Sequence, residues 1–348
     1  MPTPHKTDRA GRPAEDARRA VEDAIWAPSV HNTQPWRFAV RGSRISLRAD
    51  ADRRLDVADP DGREMLISCG AALYNLRLGL RALGDEPEVT LLPDPDRPHL
   101  LADVEAVPGE PADERTARLY AQVRRRRSHR GGFRSGPVPG TLLAALRQEA
   151  EREGGRLVQA VDAHVAGALA ALTDAAEHVQ RCTPAYASEI ARWAPSPGTR
   201  RTDGVQQGAY PRQTPRTEPH FPARDFARGQ GWGTGAPAEG EEPGSTDAGG
   251  EEAAAAGVVV LLVTRADGPA DWLRAGQALQ AVLLRAAEHG LSAAYHTQAL
   301  QVPELRAFIR AHFCGDAHPQ MLLRIGVPDV RELTSVRRPL QDVLIEEP

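Results

Sequence analysis

Two hydrophobic periods alternate along the first fifty residues of the chain. Ala17, Ala20, Val21, Ala24 and Ile25 recur at the spacing of one helix face, which predicts an amphipathic helix over residues 14–27. Pro28 stops it, because proline lacks an N–H and biases the residue before it away from helical angles. Phe38, Val40, Ile45 and Leu47 then predict a hairpin of short strands with Arg41-Gly42-Ser43 at its turn. Between helix and hairpin, residues 27–36 carry two prolines and five hydrogen-bonding side chains. A loop pinned by prolines has few backbone states to lose, so it suits the presentation of donors and acceptors to a flat, heteroatom-rich partner. The plainer reading is a helix-to-strand connection with a packed Trp36.

Further on, one pattern occurs twice. Gly70, Ala72, Leu73 and Gly84 recur as Gly276, Ala278, Leu279 and Gly290, a constant offset of 206 residues. Each stretch predicts a helix of about four turns with a small, apolar face and a C-terminal glycine. Each also follows a short strand and an Arg-Ala-Asp tripeptide, at 48–50 and 265–267. The shared flanks favour an internal duplication over chance. A duplicated chain folds as a fused pseudo-dimer, which would put an interface site of an ancestral dimer inside one polypeptide.

The remaining pattern predicts a Pro- and Asp-rich exposed crossover at 93–114 and a helix ending in the arginine run 124–130. A Gly/Pro turn at 131–140 leads to a helix over 141–153, a strand near 157–161 and a helix over 163–182. Low-complexity sequence fills 194–257. Within it, 236–252 has little to bury and is expected to be disordered. Residues 193–232 carry Trp193, Tyr210, Phe221, Phe226 and Trp232, enough anchors for a lid over a pocket. The apolar run 258–263 reads as a central strand, and 321–327 as another.

Length, 348 residues, allows one large domain or two ordinary ones. A net charge of −4 argues against a general binder of nucleic acid or anionic membrane. No apolar run is long enough for a signal segment or membrane span, so a cytoplasmic protein is the expectation. Cys69, Cys182 and Cys314 lie far apart with no metal-ligand spacing, so neither a metal site nor a disulfide framework is indicated. Lys6 is the only lysine, so phosphate here must be met by guanidinium forks. Arg126, Arg127, Ser128 and Arg130 place such donors and a hydroxyl within one turn, and Arg337-Arg338-Pro339 could converge on the same anion. The plainer reading of the run is a solvated charged face. The glycine-rich stretch 229–235 fails as a dinucleotide loop, because no strand precedes it and no helix follows.

Pro28-Ser29-x-x-Asn32-x-Gln34-Pro35-Trp36, taken with Arg126-Arg127-Ser128-x-Arg130, resembles the FMN-dependent nitroreductase superfamily. The resemblance spans nearly the whole chain, including 59–76, 272–290 and 337–339, and is weak over 194–257. Family subunits carry the arginine segment first and the Pro-Ser loop soon after. Here the first half has only the loop and the second half only the arginines. That division resembles the Acg-type branch, single-chain pseudo-dimers with a lid over the flavin. It implies an α+β nitroreductase-like fold of two duplicated halves, 1–115 and 116–348, each with an antiparallel or mixed sheet flanked by helices. The insert at 194–257 would be the lid.

By the same resemblance, Arg126, Arg127, Ser128 and Arg130, with Arg337 or Arg338, would hold the FMN phosphate. Pro28, Ser29, Val30, Asn32 and Gln34 would contact the flavin or its ribityl chain. Tyr295, His296, Thr297 and Gln298 would lie near the reactive edge of the ring. No side-chain acid or base is demanded, since the hydride chemistry belongs to the flavin. The implied activity is an oxidoreductase that reduces or dehydrogenates a small organic molecule, with NAD(P)H or another donor reducing the flavin. The alternatives are an FMN-sequestering protein with a blocked site and, leaving the family aside, a non-enzymatic anion binder. Further pairing of the pseudo-dimer stays open.

Overall fold

The computed structural model describes residues 12–209, 218–224, 226, 256–329 and 335–345. Helix α1 (Arg12–Ala24) buries the predicted stripe, with Ala17, Ala20, Val21 and Ala24 fully covered. It stops three residues earlier than expected. Trp26 and Ala27 already bond back to Asp23 and Ala24 in tight turns, so the helix has unwound before Pro28 arrives. Strands β1 (Trp36–Arg41) and β2 (Arg44–Ala49) form the expected hairpin, with Gly42 at φ 62° in a two-residue turn. After α2 (Arg63–Leu83), Gly84 reverses the chain at φ 89° into β3 (Asp85–Leu91).

The 93–114 stretch is not an exposed crossover throughout. It contains β4 (Leu100–Pro108), whose Leu100, Leu101, Ala102 and Val104 are buried between β3 and β2. Asp103 breaks its apolar alternation in the sequence, yet Ser46 and Arg44 bond that carboxylate from β2.

The arginine run does not end a helix. Helix α3 (Glu114–Tyr120), capped by Asp113, ends at Tyr120, and the arginines follow in a turn. Then come α4 (Gly140–Arg152), β5 (Arg156–Gln159), α5 (Ala163–Cys182) and α6 (Pro184–Arg192). Strand β5 ends before Val161, which is exposed. Of the 194–257 insert, residues 194–209, 218–224, 226 and 256–257 are described and partly buried against the body. Tyr210, Trp232 and the stretches 229–235 and 236–252 lie outside the described residues.

The chain continues through β6 (Val258–Thr264), α7 (Pro269–Glu288), β7 (Ser292–Tyr295), α8 (Pro303–Phe313) and β8 (His318–Gly326). The short pair α9 (Leu340–Val343) and β9 (Leu344–Ile345) lies near its end. Strand β6 is apolar throughout because both its faces are covered. Val258, Val260 and Leu262 meet α4 and α7, while Val259, Leu261 and Val263 meet α5 and α8.

The sheets have the orders β3-β4-β2-β1-β9 and β5-β6-β8-β7. With β1, β2, β3 and β4 set against β5, β6, β7 and β8, the two orders are the same. All pairings within those two sets are antiparallel. Strand β9 departs from the pattern by joining β1 in parallel, which brings the C-terminal segment to the first sheet.

Helices α2 and α7 cross where Gly70 meets Gly276. A Cβ on Gly276 would stand 2.0 Å from the Ile67 carbonyl oxygen, and one on Gly70 2.2 Å from that of Leu273. One helical turn away, the Gln280 amide donates to Asn75 Oδ1 at 2.7 Å in the buried interface.

The two Arg-Ala-Asp tripeptides end in ion-pair hubs. Asp50 meets Arg37 at 3.0 Å and Arg53 at 3.3 Å. Asp267 accepts from Arg306 at 2.8 and 2.9 Å, from the Trp272 indole at 2.8 Å and from Gln320 at 3.0 Å. Burial opposes the Asp267 charge, but these donors outweigh it and hold the carboxyl well below the usual carboxylate range. Its contribution to stability is therefore complete above the unfolded pKa of about 3.9 and is lost as pH falls through the lower folded value. Asp267→Asn is expected to lower stability at pH 7 by roughly 1–2 kcal/mol after discounting for solvent screening. The difference from wild type should shrink below about pH 3. Urea midpoints at the two pH values check this.

Candidate active site

The polar loop leaves α1 through Pro28 and an extended Ser29, then makes a single tight turn at Val30–Asn32. His31, Asn32 and Gln34 have φ of 47°, 54° and 51°, the left-handed region that residues other than glycine rarely enter. Each such residue costs on the order of 1–3 kcal/mol and persists only where its surroundings over-determine it. Those surroundings are visible. Ser68 Oγ accepts from the Val30 N–H at 3.1 Å, and Ser29 Oγ accepts from the Gln34 N–H at 2.9 Å. Behind the loop Trp36 is fully buried.

The Asn32 and Gln34 side chains are engaged elsewhere than the cavity. Asn32 Nδ2 donates to the carbonyls of Gly204 at 3.0 Å and Val336 at 3.2 Å. Gln34 Nε2 donates to the Thr202 carbonyl at 2.8 Å, and its Oε1 accepts from the Arg338 N–H at 2.8 Å. These two amides fasten the insert and the C-terminal segment onto the loop.

Beside the loop lies a cavity of about 670 Å³, within the range of small-molecule and cofactor sites. Pro28, Ser29, Val30 and His31 line one side of it, and Ser128 and Arg130 another. Tyr295, His296, Thr297 and Gln298 also face it, where β7 runs into a short helical turn. The Ser128 and His129 backbone bonds to Ala293 on β7, which draws the arginine segment to that sheet edge.

Arg126 is buried, with one nitrogen 3.5 Å from Ser128 Oγ and another 3.5 Å from the Trp26 carbonyl. Arg127 turns back, donating to the carbonyls of Arg124 and Arg126 at 2.8 Å and lying over Trp26. Arg337 donates to Val336, Asn32 and Trp26 oxygens, while its buried Nε has no partner among the described residues. Burial pushes the Arg337 guanidinium down to about 9, and the like charges of Arg126, Arg127 and Arg130 add to the effect. Arg338 instead donates to the Gln34 carbonyl at 3.1 Å and approaches Asp50 at 3.6 Å. The structure thus brings Arg126, Ser128, Arg130, Tyr295 and Arg337 near one another, Arg126 and Arg337 without lining the cavity, and sets Arg127 and Arg338 aside. Such a group of cations is suited to an anion.

The far side of the cavity is closed by the strap 218–224. Phe221 stacks on His296 with ring centroids 4.2 Å apart, and the Arg324 guanidinium covers the same ring at 5.4 Å. Arg324 donates to the carbonyls of Glu218 at 2.9 Å and Pro219 at 3.0 Å. Arg224, buried at the cavity wall, donates to Gln180 at 3.2 Å and Gln301 at 3.0 Å. Burial pushes the His296 imidazole down to about 3, with Arg324 and His220 reinforcing it, so the ring is neutral.

Glu64, Ser68, Asp174, Glu177, Arg181 and Arg324 also line the cavity and were absent from the sequence expectation. Asp174, Glu177 and Arg181 share one face of α5, a helical spacing that could have flagged them. Nothing local marks Arg324, whose strand reads as core.

No family model matches the chain. It is 35% identical over 319 residues to "Putative NAD(P)H nitroreductase Rv3131" of Mycobacterium tuberculosis, an alignment covering 90% of this chain and 85% of that one. It is 28% identical over 329 residues to "Putative NAD(P)H nitroreductase acg" of the same organism, covering 94% of each. A third relative there, "Uncharacterized protein Rv3127", is 29% identical over 341 residues, with 94% and 92% covered.

Proposed function

This chain belongs to the nitroreductase superfamily, in its Acg-type branch, and we propose that it is an FMN-dependent oxidoreductase whose flavin lies between two duplicated halves. The observation that carries the reading is convergence on one cavity. The Pro28–Val30 side comes from residues 1–115, whereas Ser128, Arg130 and Tyr295–Gln298 come from 116–348. The duplication is supported by the matching sheet orders and by the meeting of Gly70 with Gly276, which hold equivalent places in the repeat. No helix among the described residues is long and apolar enough to cross a membrane, and the cavity size suits a small organic substrate.

The chemistry of the lining fits FMN. The like charges of Arg126, Arg130 and Arg337 beside the Ser128 hydroxyl would be offset by a phosphate held among them. Pro28, Ser29 and Val30 would border the flavin from the loop, and Tyr295, His296, Thr297 and Gln298 from β7. Arg127 and Arg338 would support the site from behind, as would the Asn32 and Gln34 amides. The flavin, when bound, supplies hydride chemistry, taken from NAD(P)H and passed to the substrate. The neutral His296 stacked on Phe221, with the strap above, limits water at that side.

Titration of the protein with FMN, followed by quenching of flavin fluorescence, is expected to saturate at one FMN per chain. Absence of quenching at micromolar protein would contradict the reading. The stacked Phe221 and the anchored strap also favour a second reading, in which FMN is held while substrate is kept out.

A further inference from the structure

The outer edges of the two sheets are not alike. The first sheet ends on one side in β9, only two residues long. On its other side β3 carries Pro87, which has no N–H, between the exposed Glu86 and Glu88. In the second sheet β7 is met by the backbone of Ser128 and His129. The outer edge of β5 has no strand beside it among the described residues. It also lacks the charge and proline that blunt β3, since residues 157–161 read Leu-Val-Gln-Ala-Val. Val161 is 81% exposed, more than any other large apolar side chain among the described residues. A groove of about 310 Å³ runs beside the strand, lined by Val158, Ala160, Val165, Leu169 and Phe313 among others. The corresponding edge of the first sheet, that of β1, is covered by a strand, with Phe38 and Ala39 paired to Leu344 and Ile345.

The register of β5 fixes which of its backbone groups face outward. The Ala160 N–H donates to the Val259 carbonyl at 3.0 Å, and Gln159 lies opposite Val260. Backbone groups alternate in direction along an antiparallel ladder, so Val158 and Ala160 face β6. Leu157, Gln159 and Val161 therefore turn their N–H and C=O groups to the open side. A second copy meeting this edge across a two-fold axis at Gln159 bonds those same residues. Leu157 pairs with the partner's Val161, and Gln159 with the partner's Gln159. Val158 then faces the partner's Ala160, and Arg156 faces the partner's Asp162. Arg156 and Asp162 are both exposed, one on either side of the apolar stretch. The register that satisfies the backbone thus also brings opposite charges together at each end.

We propose that the outer edge of β5 is a homodimer interface, where a second copy of the chain adds its own β5 in antiparallel and joins two four-stranded sheets into one. The partner's Val161 would cover Leu157 at the seam, and the reverse, which removes the exposed valine from water. A two-fold pairing uses each edge once and stops at two copies. The inference is independent of the flavin reading, because β5 and the cavity-lining β7 stand at opposite edges of their sheet.

Sedimentation equilibrium of the full chain across the micromolar range tests this. At the upper end of that range the wild type is expected to have the mass of two 37.6 kDa chains. Gln159→Pro removes an outward N–H while leaving the bonds to β6 in place, and should stay monomeric. Arg156→Glu sets like charges together at both ends of the pairing and should raise the dimer Kd roughly tenfold or more. Adding Asp162→Arg to Arg156→Glu reverses both charges and should restore most of the affinity, a recovery that damage to the fold would not show. A monomer at every concentration would overturn the proposal. A dimer that neither Gln159→Pro nor Arg156→Glu weakens would overturn it too, because the contact would then lie elsewhere. Where circular dichroism shows that Gln159→Pro does not fold, Arg156→Glu and its charge-reversed double variant decide by themselves.

Discussion

Gly276→Val is expected to destabilise the protein by more than about 4 kcal/mol or to abolish soluble expression. The added Cβ would stand 2.0 Å from the Ile67 carbonyl oxygen, 2.8 Å from the Ala71 nitrogen and 2.8 Å from Gly70 Cα. All three are backbone atoms of α2, so no rotamer change relieves the clash. The helices would have to separate, breaking the contact that joins the two sheets' principal helices and exposing the buried Gln280–Asn75 bond. Gly276→Ala gives a graded version where the valine variant fails to fold. Gly167→Ala is the control. Gly167 lies inside α5 with nothing within 4 Å of a new Cβ, and that change should stabilise by about 0.5–1 kcal/mol. Urea denaturation of the three variants reads the contrast.

Arg337→Met separates binding from folding. Arg337 is half-buried with its Nε covered, and Arg126, Arg127 and Arg130 all oppose its charge. Its hydrogen bonds run to the neutral oxygens of Val336, Asn32 and Trp26. Replacing such a charge by an apolar side chain of similar length is often neutral or stabilising, so stability without FMN should stay within about 1 kcal/mol of wild type. FMN affinity should fall by roughly 1.5–3 kcal/mol, or about 10- to 150-fold, through loss of a charge-assisted phosphate contact. FMN should accordingly raise the melting temperature of the wild type more than that of the variant. Equal FMN affinity in the two proteins would remove Arg337 from the anion site.

Much of this arrangement could be read from residue patterns, and the failures have identifiable causes. Helix α1, the hairpin, α5 and β6 follow their hydrophobic periods, because burial on one face or on both determines those periods. Strand β4 reads as an exposed crossover in the sequence because Asp103 looks like a loop residue until its cross-strand partners Ser46 and Arg44 are known. The arginine run was placed on a helix because charge runs carry no periodicity that marks an end. At the site, residue types were legible and their directions were not. Asn32 and Gln34 have the side chains of ligand contacts, but the insert and the C-terminal segment come back to claim them from more than 160 residues away.

The most direct measurement is the visible spectrum of the FMN-loaded protein, recorded anaerobically before and after addition of NADH or NADPH. An oxidoreductase of the proposed kind loses its oxidised-flavin absorbance rapidly with at least one of the two, and regains it when a nitroaromatic or quinone acceptor is added. A flavin band that both donors leave unchanged would contradict the NAD(P)H-dependent activity and leave FMN sequestration as the reading that fits.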